Sequence, residues 1–202
     1  MNAIVHIVDD DISVLTALGR SLRADGLDVS LSRTTEEFLA SYDPAVGGCV
    51  VLDLHMPGMD GLQLQQLLFQ RGQRTPLIFV SGSADVPSCA SAMRAGAIDF
   101  LTKPVNDKDL FEAVSRAEAR DTESRRLHSE MELIEAKVST LTPREREVLT
   151  HVVAGQLNKQ IAGDLGTVEK TIKVHRSRMM EKLGIRSVAD LVRMTEKLNL
   201  SK

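Results

Sequence analysis

The sequence predicts two folding units of different class. The first is α/β, a five-stranded doubly wound parallel sheet. A helical linker follows, then an all-α unit of four short helices that contains a helix-turn-helix. Three observations carry this. Short continuous apolar runs alternate with amphipathic stretches over the first 120 residues, as expected for strands buried on both faces between helices. From residue 140 on, helical periodicity is punctuated by Gly155, Gly166 and Gly184. The charge also changes sign. Residues 1–120 carry 10 Lys and Arg against 16 Asp and Glu, and residues 121–202 carry 15 against 12. The net charge of −3 is therefore an acidic front joined to a basic back, a pattern expected of two units with different partners. The divisions expected are 1–120, 121–139 and 140–202.

Composition removes several classes. Two cysteines, Cys49 and Cys89, make neither a disulfide framework nor a zinc site, so a cytoplasmic location is expected. The start lacks the pattern of a signal peptide, and no apolar run approaches the ~18 residues of a membrane span. There is no Trp and aromatics are 3%, which argues against stacking on single-stranded nucleic acid.

The strands expected are Ala3–Val8, Leu27–Ser30, Cys49–Leu54, Pro76–Ser81 and Ile98–Thr102. Between them, Val14, Leu15, Leu18 and Leu22 share a helical face. Leu62, Leu67 and Leu68 form another, and Leu110, Phe111 and Val114 a third. In open parallel sheets, ligands bind at the carboxyl ends of the strands. Asp9 and Asp10 end the first strand, Asp53 the third and Ser81 the fourth, while Lys103 follows the fifth. Three carboxylates, a hydroxyl and an ammonium should meet at one edge. Carboxylates crowded in this way favour protonation unless a cation compensates them. An all-oxygen donor set with room for water suits Mg²⁺. Mg²⁺ and Lys103 could neutralise a phosphoryl group at Asp53, and Ser81 could donate to it. The cluster reads as a phosphoryl-transfer site with Asp53 as nucleophile.

These residues resemble the receiver domain of two-component response regulators. The match rests on Asp9-Asp10, Asp53-Leu-His-Met-Pro-Gly-Met-Asp-Gly61, Ser81-Gly82, Ala95-Gly-Ala97 and Lys103-Pro104. The resemblance implies phosphotransfer from a sensor histidine kinase to Asp53. It implies Mg²⁺ held by Asp10, Asp53 and the backbone carbonyl of His55, with Asp9 acting through water. It also implies a switch in which Ser81 and Phe100 move inward, and a cis bond at Lys103–Pro104. Asp11 is expected to begin the first helix, Met56 and Pro57 to serve loop geometry, and both cysteines to be small buried packing residues.

Residues 107–139 lack Pro and Gly and read as helix. Leu127, Met131, Ile134, Val138 and Leu141 follow a 4-3-4-3 spacing, too short for a firm coiled-coil assignment. A linker helix lying on one unit and a dimer seam both fit. Asp121 through Arg126 is charged and is expected to be flexible or solvated.

In the basic half, Thr142-Pro-Arg-Glu145 is a capping box opening a helix that runs to about Val153. Asn158 is expected to cap a second helix and Thr167 a third, which ends at Leu183. Ser187-Val-Ala-Asp190 opens a fourth, with Val188, Leu191, Val192, Thr195 and Leu198 on one face. The second and third make a helix-turn-helix. The third carries Lys170, Lys173, Arg176, Arg178 and Lys182, suited to the major groove.

This half resembles the LuxR/NarL-type DNA-binding domain. The residues are Leu141-Thr-Pro-Arg-Glu-Arg-Glu-Val-Leu149, Asn158-Lys-Gln-Ile-Ala162, Thr171-Ile-Lys-Val-His-Arg176 and Met180-Glu-Lys-Leu183. The resemblance implies base and backbone contacts from Lys173, Val174 and Ser177, flanked by Arg176 and Arg178. Asn158, Lys159 and Thr171 would contact phosphates. Dimerisation through the last helix on double-stranded promoter DNA is also implied. The segment Gly166-Thr-Val-Glu169 departs from the family's usual Ser cap.

Together the halves resemble a FixJ/NarL-type response regulator, and Gly82-Ser-Ala-Asp-Val-Pro87 leans toward the FixJ branch. The function expected is a phosphorylation-dependent transcriptional regulator, not an enzyme, that dimerises on phosphorylation. Two other readings stay open at this point. One is a Mg²⁺-dependent aspartyl-phosphate phosphatase. The other is a receiver that acts by protein contact without DNA.

Overall fold

The computed structural model describes residues 3–82 and 86–199, the last of these by its backbone alone. Residues 83–85 of the motif at 82–87 lie outside the described residues. Two compact units divide at Arg125/Arg126.

In the first unit, β1 (Ile4–Val8), β2 (Asp28–Ser32), β3 (Gly48–Asp53), β4 (Leu77–Ser81) and β5 (Asp99–Thr102) form one parallel sheet in the order β2-β1-β3-β4-β5. The helices are α1 (Ile12–Ala24), α2 (Thr35–Ser41), α3 (Gly61–Gln70), α4 (Val86–Arg94) and α5 (Asp107–Ser139). Side chains alternate across each strand. Val5, Ile7, Val51 and Val80 face α1 and α5, where Leu15, Leu18, Leu22, Leu110, Val114 and Ala117 meet them. Val8, Val50, Leu52 and Phe79 face α2, α3 and α4. The strand order reverses between β1 and β3, so their carboxyl ends flank the crevice where a ligand would sit.

Some sequence expectations need correction. Leu64 and Leu68 are the buried pair on α3, and Leu62 and Leu67 are only half-buried. The i, i+4 pair follows the helical period, which the looser spacing of 62 and 67 does not. Met56 is buried in the core beside α3, not a mere loop spacer. Cys49 is buried as expected, but Cys89 on α4 is only partly covered. The stretch from Asp121 to Arg126 is not flexible linker. It continues α5, and Asp121 is buried. Asp121 and Arg125 bond to each other and to backbone groups far away in sequence, which no local pattern reveals, while Glu123 and Arg126 are exposed as expected.

The second unit holds the end of α5 and α6 (Pro143–Val153), α7 (Asn158–Asp164), α8 (Glu169–Leu183) and α9 (Val188–Asn199). Thr142 and Glu145 form the expected capping box, and Ser187 caps through the Asp190 N–H. Val148, Ile161, Ile172, Met179, Leu183 and Leu191 make the core. Met194 joins it from α9, three residues on from Leu191, whereas Val192 is only half-buried. Leu141 belongs to this core and Ile134 and Val138 pack against it, so three of the five residues of the apolar stripe serve the unit itself. Leu127 and Leu133 stay exposed.

Two helix starts also differ. Asn158 is the first residue of α7, with Leu157 at the N-cap, whose N–H bonds the Gln160 side chain. Thr167 does not cap α8. Its N–H is spent on the Ala162 carbonyl, and Val168 sits at the N-cap without any side-chain cap. Gly184 closes α8 in the left-handed conformation, φ 69°, which favours glycine.

Candidate phosphoryl-transfer site and nucleic-acid interface

The parallel register brings Asp9, just past β1, beside Asp53 at the end of β3. Lys103 reaches both from the turn after β5. Its Nζ lies 2.6 Å from Asp9 Oδ2 and 2.8 Å from Asp53 Oδ1. The Lys103–Pro104 bond is cis, as the resemblance implied. Both carboxylates are buried, Asp9 at 1% and Asp53 at 6% exposure. Each is also held by a backbone N–H two residues on: Asp11 N donates to Asp9 Oδ1 at 2.9 Å, and His55 N donates to Asp53 Oδ2 at 3.0 Å. Asp11 itself caps α1 through the Ser13 N–H. That double role of Asp11 was not visible in the sequence.

One ammonium shared by two buried carboxylates leaves a negative excess. Burial raises the Asp9 carboxyl above its ordinary range, although Lys103 and the Asp11 N–H oppose the rise. Burial alone would lower the Lys103 ammonium. Its hydrogen bonds to Asp53 and Asp9 outweigh that and hold it above the usual lysine range. The remaining residues sit as follows. Asp10 and His55 are exposed. Ser81 is fully buried at the end of β4, and its carbonyl accepts from Lys103 N at 2.8 Å. Phe100 is half-buried and stacks on Phe79. Gly61 opens α3 directly against the site, where an added Cβ would lie 2.5 Å from the Asp53 carbonyl.

Among the described residues, no three His, Cys, Asp or Glu side chains already converge as a metal cage. Mg²⁺ does not need one. It takes one or two carboxylates and fills the rest with water and phosphate oxygens. The all-oxygen donor set, with its uncompensated negative charge, fits that ion.

In the second unit, α8 turns Ile172, Met179 and Leu183 inward and presents Lys170, Lys173, Val174, Ser177 and Arg178 outward. Lys159 is exposed on α7. Lys173 rests 2.9 Å from Glu169 one turn earlier, an exposed pair that a phosphate can displace at little cost. Thr171 is half-buried. Asn158 and Arg176 are half-buried and bonded to each other, Arg176 Nη1 donating to Asn158 Oδ1 at 3.0 Å, so they fix α7 against α8. Lys182 leaves the basic face. It donates to the buried Glu145 at 2.7 Å and to the Thr140 carbonyl. The sequence also gave no sign that Leu157 and Val168 would be exposed at the starts of α7 and α8.

Val168→Ser is expected to stabilise the second unit by about 1 kcal/mol, since a hydroxyl at the N-cap satisfies an orphan helix N–H. The check is the urea midpoint of the full chain. No gain would mean that the α8 start is already satisfied.

The comparisons agree with this geometry. The chain matches the family described as response regulator receiver domain over residues 5–115, and bacterial regulatory proteins, luxR family, over residues 139–195. It is 41% identical to Nodulation protein W of Bradyrhizobium diazoefficiens, covering 98% of this chain and 88% of that protein. It is 40% identical to transcriptional regulatory protein FixJ of Rhizobium meliloti, covering 94% and 93%. Among solved structures, a low-resolution structure of response regulator StyR aligns with a TM-score of 0.87 at 40% identity, over 98% of this chain and 100% of that one. With a receiver sheet and a LuxR-type helix-turn-helix on one polypeptide, the chain belongs to the response regulators and is a phosphorylation-dependent transcriptional regulator.

Proposed function

We propose that Asp53 is the phosphoacceptor and that α8 carries the DNA contacts. The observation behind this is the Lys103 ammonium placed on Asp53 Oδ1 and Asp9 Oδ2 at the carboxyl edge of the sheet. The donor is a phosphohistidine on a sensor histidine kinase. An Asp53 oxygen attacks phosphorus, the P–N bond breaks, and the histidine nitrogen leaves with the electron pair and takes up a proton. The acyl phosphate gains charge on its oxygens, and Lys103 can turn from Asp9 to meet it. Ser81 is placed at the neighbouring strand end to donate a hydrogen bond, and Phe100 to follow it. Mg²⁺ would be held by Asp10, Asp53 and the His55 carbonyl, with Asp9 through water, and would supply charge neutralisation for the phosphoryl oxygens.

Lys159, Lys173, Val174, Ser177 and Arg178 face double-stranded promoter DNA, with Thr171 beside them. Asn158 and Arg176 hold the helix pair and reach phosphate from its edge. Phosphorylation favours a homodimer, so that two half-sites bind together. The division into receiver, linker and DNA-binding domain at 1–120, 121–139 and 140–202 is proposed on the same reading, with Asp121 and Arg125, at the start of the linker range, bonded to the receiver. No helix among the described residues is long and apolar enough to cross a membrane, in keeping with a cytoplasmic site of action. A phosphatase is disfavoured, because the loop from Asp53 to Gly61 is too short to hold a cap domain over a substrate.

The test is a mobility shift with the DNA upstream of the protein's own gene, with and without acetyl phosphate. Lys173→Ala should weaken binding about tenfold at fixed salt. Equal affinity for both proteins would reject α8 as the recognition helix. Binding that ignores acetyl phosphate would reject the coupling.

A further inference from the structure

Asp121 and Arg125 form a clamp that the phosphoryl chemistry does not use. The Asp121 carboxylate is buried, and its Oδ2 accepts from Gly48 N at 2.9 Å and from Arg125 Nε at 2.7 Å. The other nitrogens of Arg125 spread over one loop. Nη1 donates to the Ala45 carbonyl at 2.9 Å, and Nη2 donates to those of Pro44 at 3.0 Å and Val46 at 2.6 Å. A guanidinium fork makes this possible, and a lysine could not reproduce it. The loop is shaped to receive it. A Cβ on Gly47 would lie 3.0 Å from Asp121 Oδ2 and 3.3 Å from Arg125 Nε, so the backbone closes on the ion pair only because no side chain stands there.

The location matters. Gly48 begins β3, and Asp53 ends it. All six residues of β3 are buried between β1 and β4, so the strand moves as one piece. Helix α5 is therefore tied to the phosphoacceptor twice. Its start follows Lys103, which holds Asp53 directly. Its later turns are tied through the clamp to the opposite end of the same strand. The apolar attachment of α5 to the sheet ends at Ala117. Beyond it, Asp121 and Arg125 hold α5 to the loop before β3 by polar bonds.

We propose that the Asp121–Arg125 clamp on Gly48 is the fulcrum by which phosphorylation of Asp53 redirects α5. The two residues are positioning residues. When Lys103 turns to the phosphoryl group, the start of α5 shifts while the clamp stays closed, so the helix pivots about Asp121 and Arg125. A slack clamp would let α5 slide, and the signal would be lost. This rests on the phosphoacceptor and DNA readings above.

The experiment compares the full-length wild type, Arg125→Ala and Arg125→Lys. Each is labelled at Asp53 with acetyl phosphate and titrated against the DNA upstream of its own gene, with and without the label. Wild type should gain on the order of 10-fold in affinity on labelling, as allosteric couplings usually do. Both variants should label normally yet gain less than about 2-fold. Arg125→Lys keeps the charge beside Asp121 and folds even if Arg125→Ala does not. A wild-type-sized gain in either folded variant overturns the clamp. No gain in the wild type itself overturns the underlying reading, and the clamp with it. In the wild type, the Gly48 amide should stay protected from hydrogen exchange both with and without the label. Loss of its protection in either state overturns the fulcrum without recourse to any variant.

Discussion

Asp53→Asn is expected to reduce phosphoryl incorporation from acetyl phosphate to background while leaving the fold intact. The amide keeps nearly the shape of the carboxylate, and its oxygen can still accept the His55 N–H. It is not a nucleophile at phosphorus, because its lone pairs are delocalised and no negative charge remains. The change also alters the charge balance around Lys103. In the wild type one ammonium serves Asp9 and Asp53 together. With Asn at 53 the ammonium pairs with Asp9 alone, one charge for one, and the repulsion between the carboxylates disappears. The melting temperature should therefore hold or rise. That combination separates a lost nucleophile from a damaged protein. The measurements are intact mass after acetyl phosphate treatment and a thermal melt of the same sample. Incorporation at the wild-type level would remove Asp53 from its proposed role.

Gly48→Ala is expected to be among the most damaging single substitutions in the chain. Gly48 has φ 138°, a conformation that disfavours any Cβ. The Cβ would also lie 1.9 Å from the Ile4 carbonyl oxygen and 2.8 Å from the Ile4 nitrogen. Ile4 is its partner across the β1–β3 ladder, and both atoms are backbone, so neither can swing aside. The strands must part at their starts, and the Asp121 bond to Gly48 N must open with them. The loss should be about 4 kcal/mol or more, in the range that only steric or core failures reach. Gly72→Ala is the control. It also has positive φ, 71°, but nothing stands within 4 Å of the added Cβ. It should cost only about 1 kcal/mol. Urea unfolding of the full chain compares the two, and equal midpoints would mean that the ladder relaxes around residue 48.

The sheet was legible because its strands are buried on both faces. Runs such as Cys49-Val-Val-Leu-Asp-Leu54 need no partner to be recognised, and their ends place Asp9, Asp53 and Lys103 together by topology alone. The capping box at Thr142 was legible because its partners lie three residues apart. What could not be read depended on partners distant in sequence. Asp121 and Arg125 looked solvated, since nothing local announces the carbonyls of Pro44, Ala45 and Val46. Lys182 counted toward the basic face of the third helix, although Glu145, 37 residues earlier, holds it. Thr167 is a local exception: it looked like a cap, but the tight turn takes its N–H back to Ala162 and the helix starts after Val168.

The two cysteines make unequal reagents. Cys49 is sealed in β3, and burial, helped by the negative charges of Glu118 and Asp121, pushes its thiol far above the ordinary range. Alkylation needs the thiolate and an open approach, so this sulfur stays silent at neutral pH. Cys89 is partly open on α4, between the strand that carries Ser81 and the strand that carries Phe100. A maleimide fluorophore should therefore mark the natural chain at one place, on the helix that joins the strands carrying the proposed switch residues. Its emission could follow phosphorylation in real time with no residue engineered.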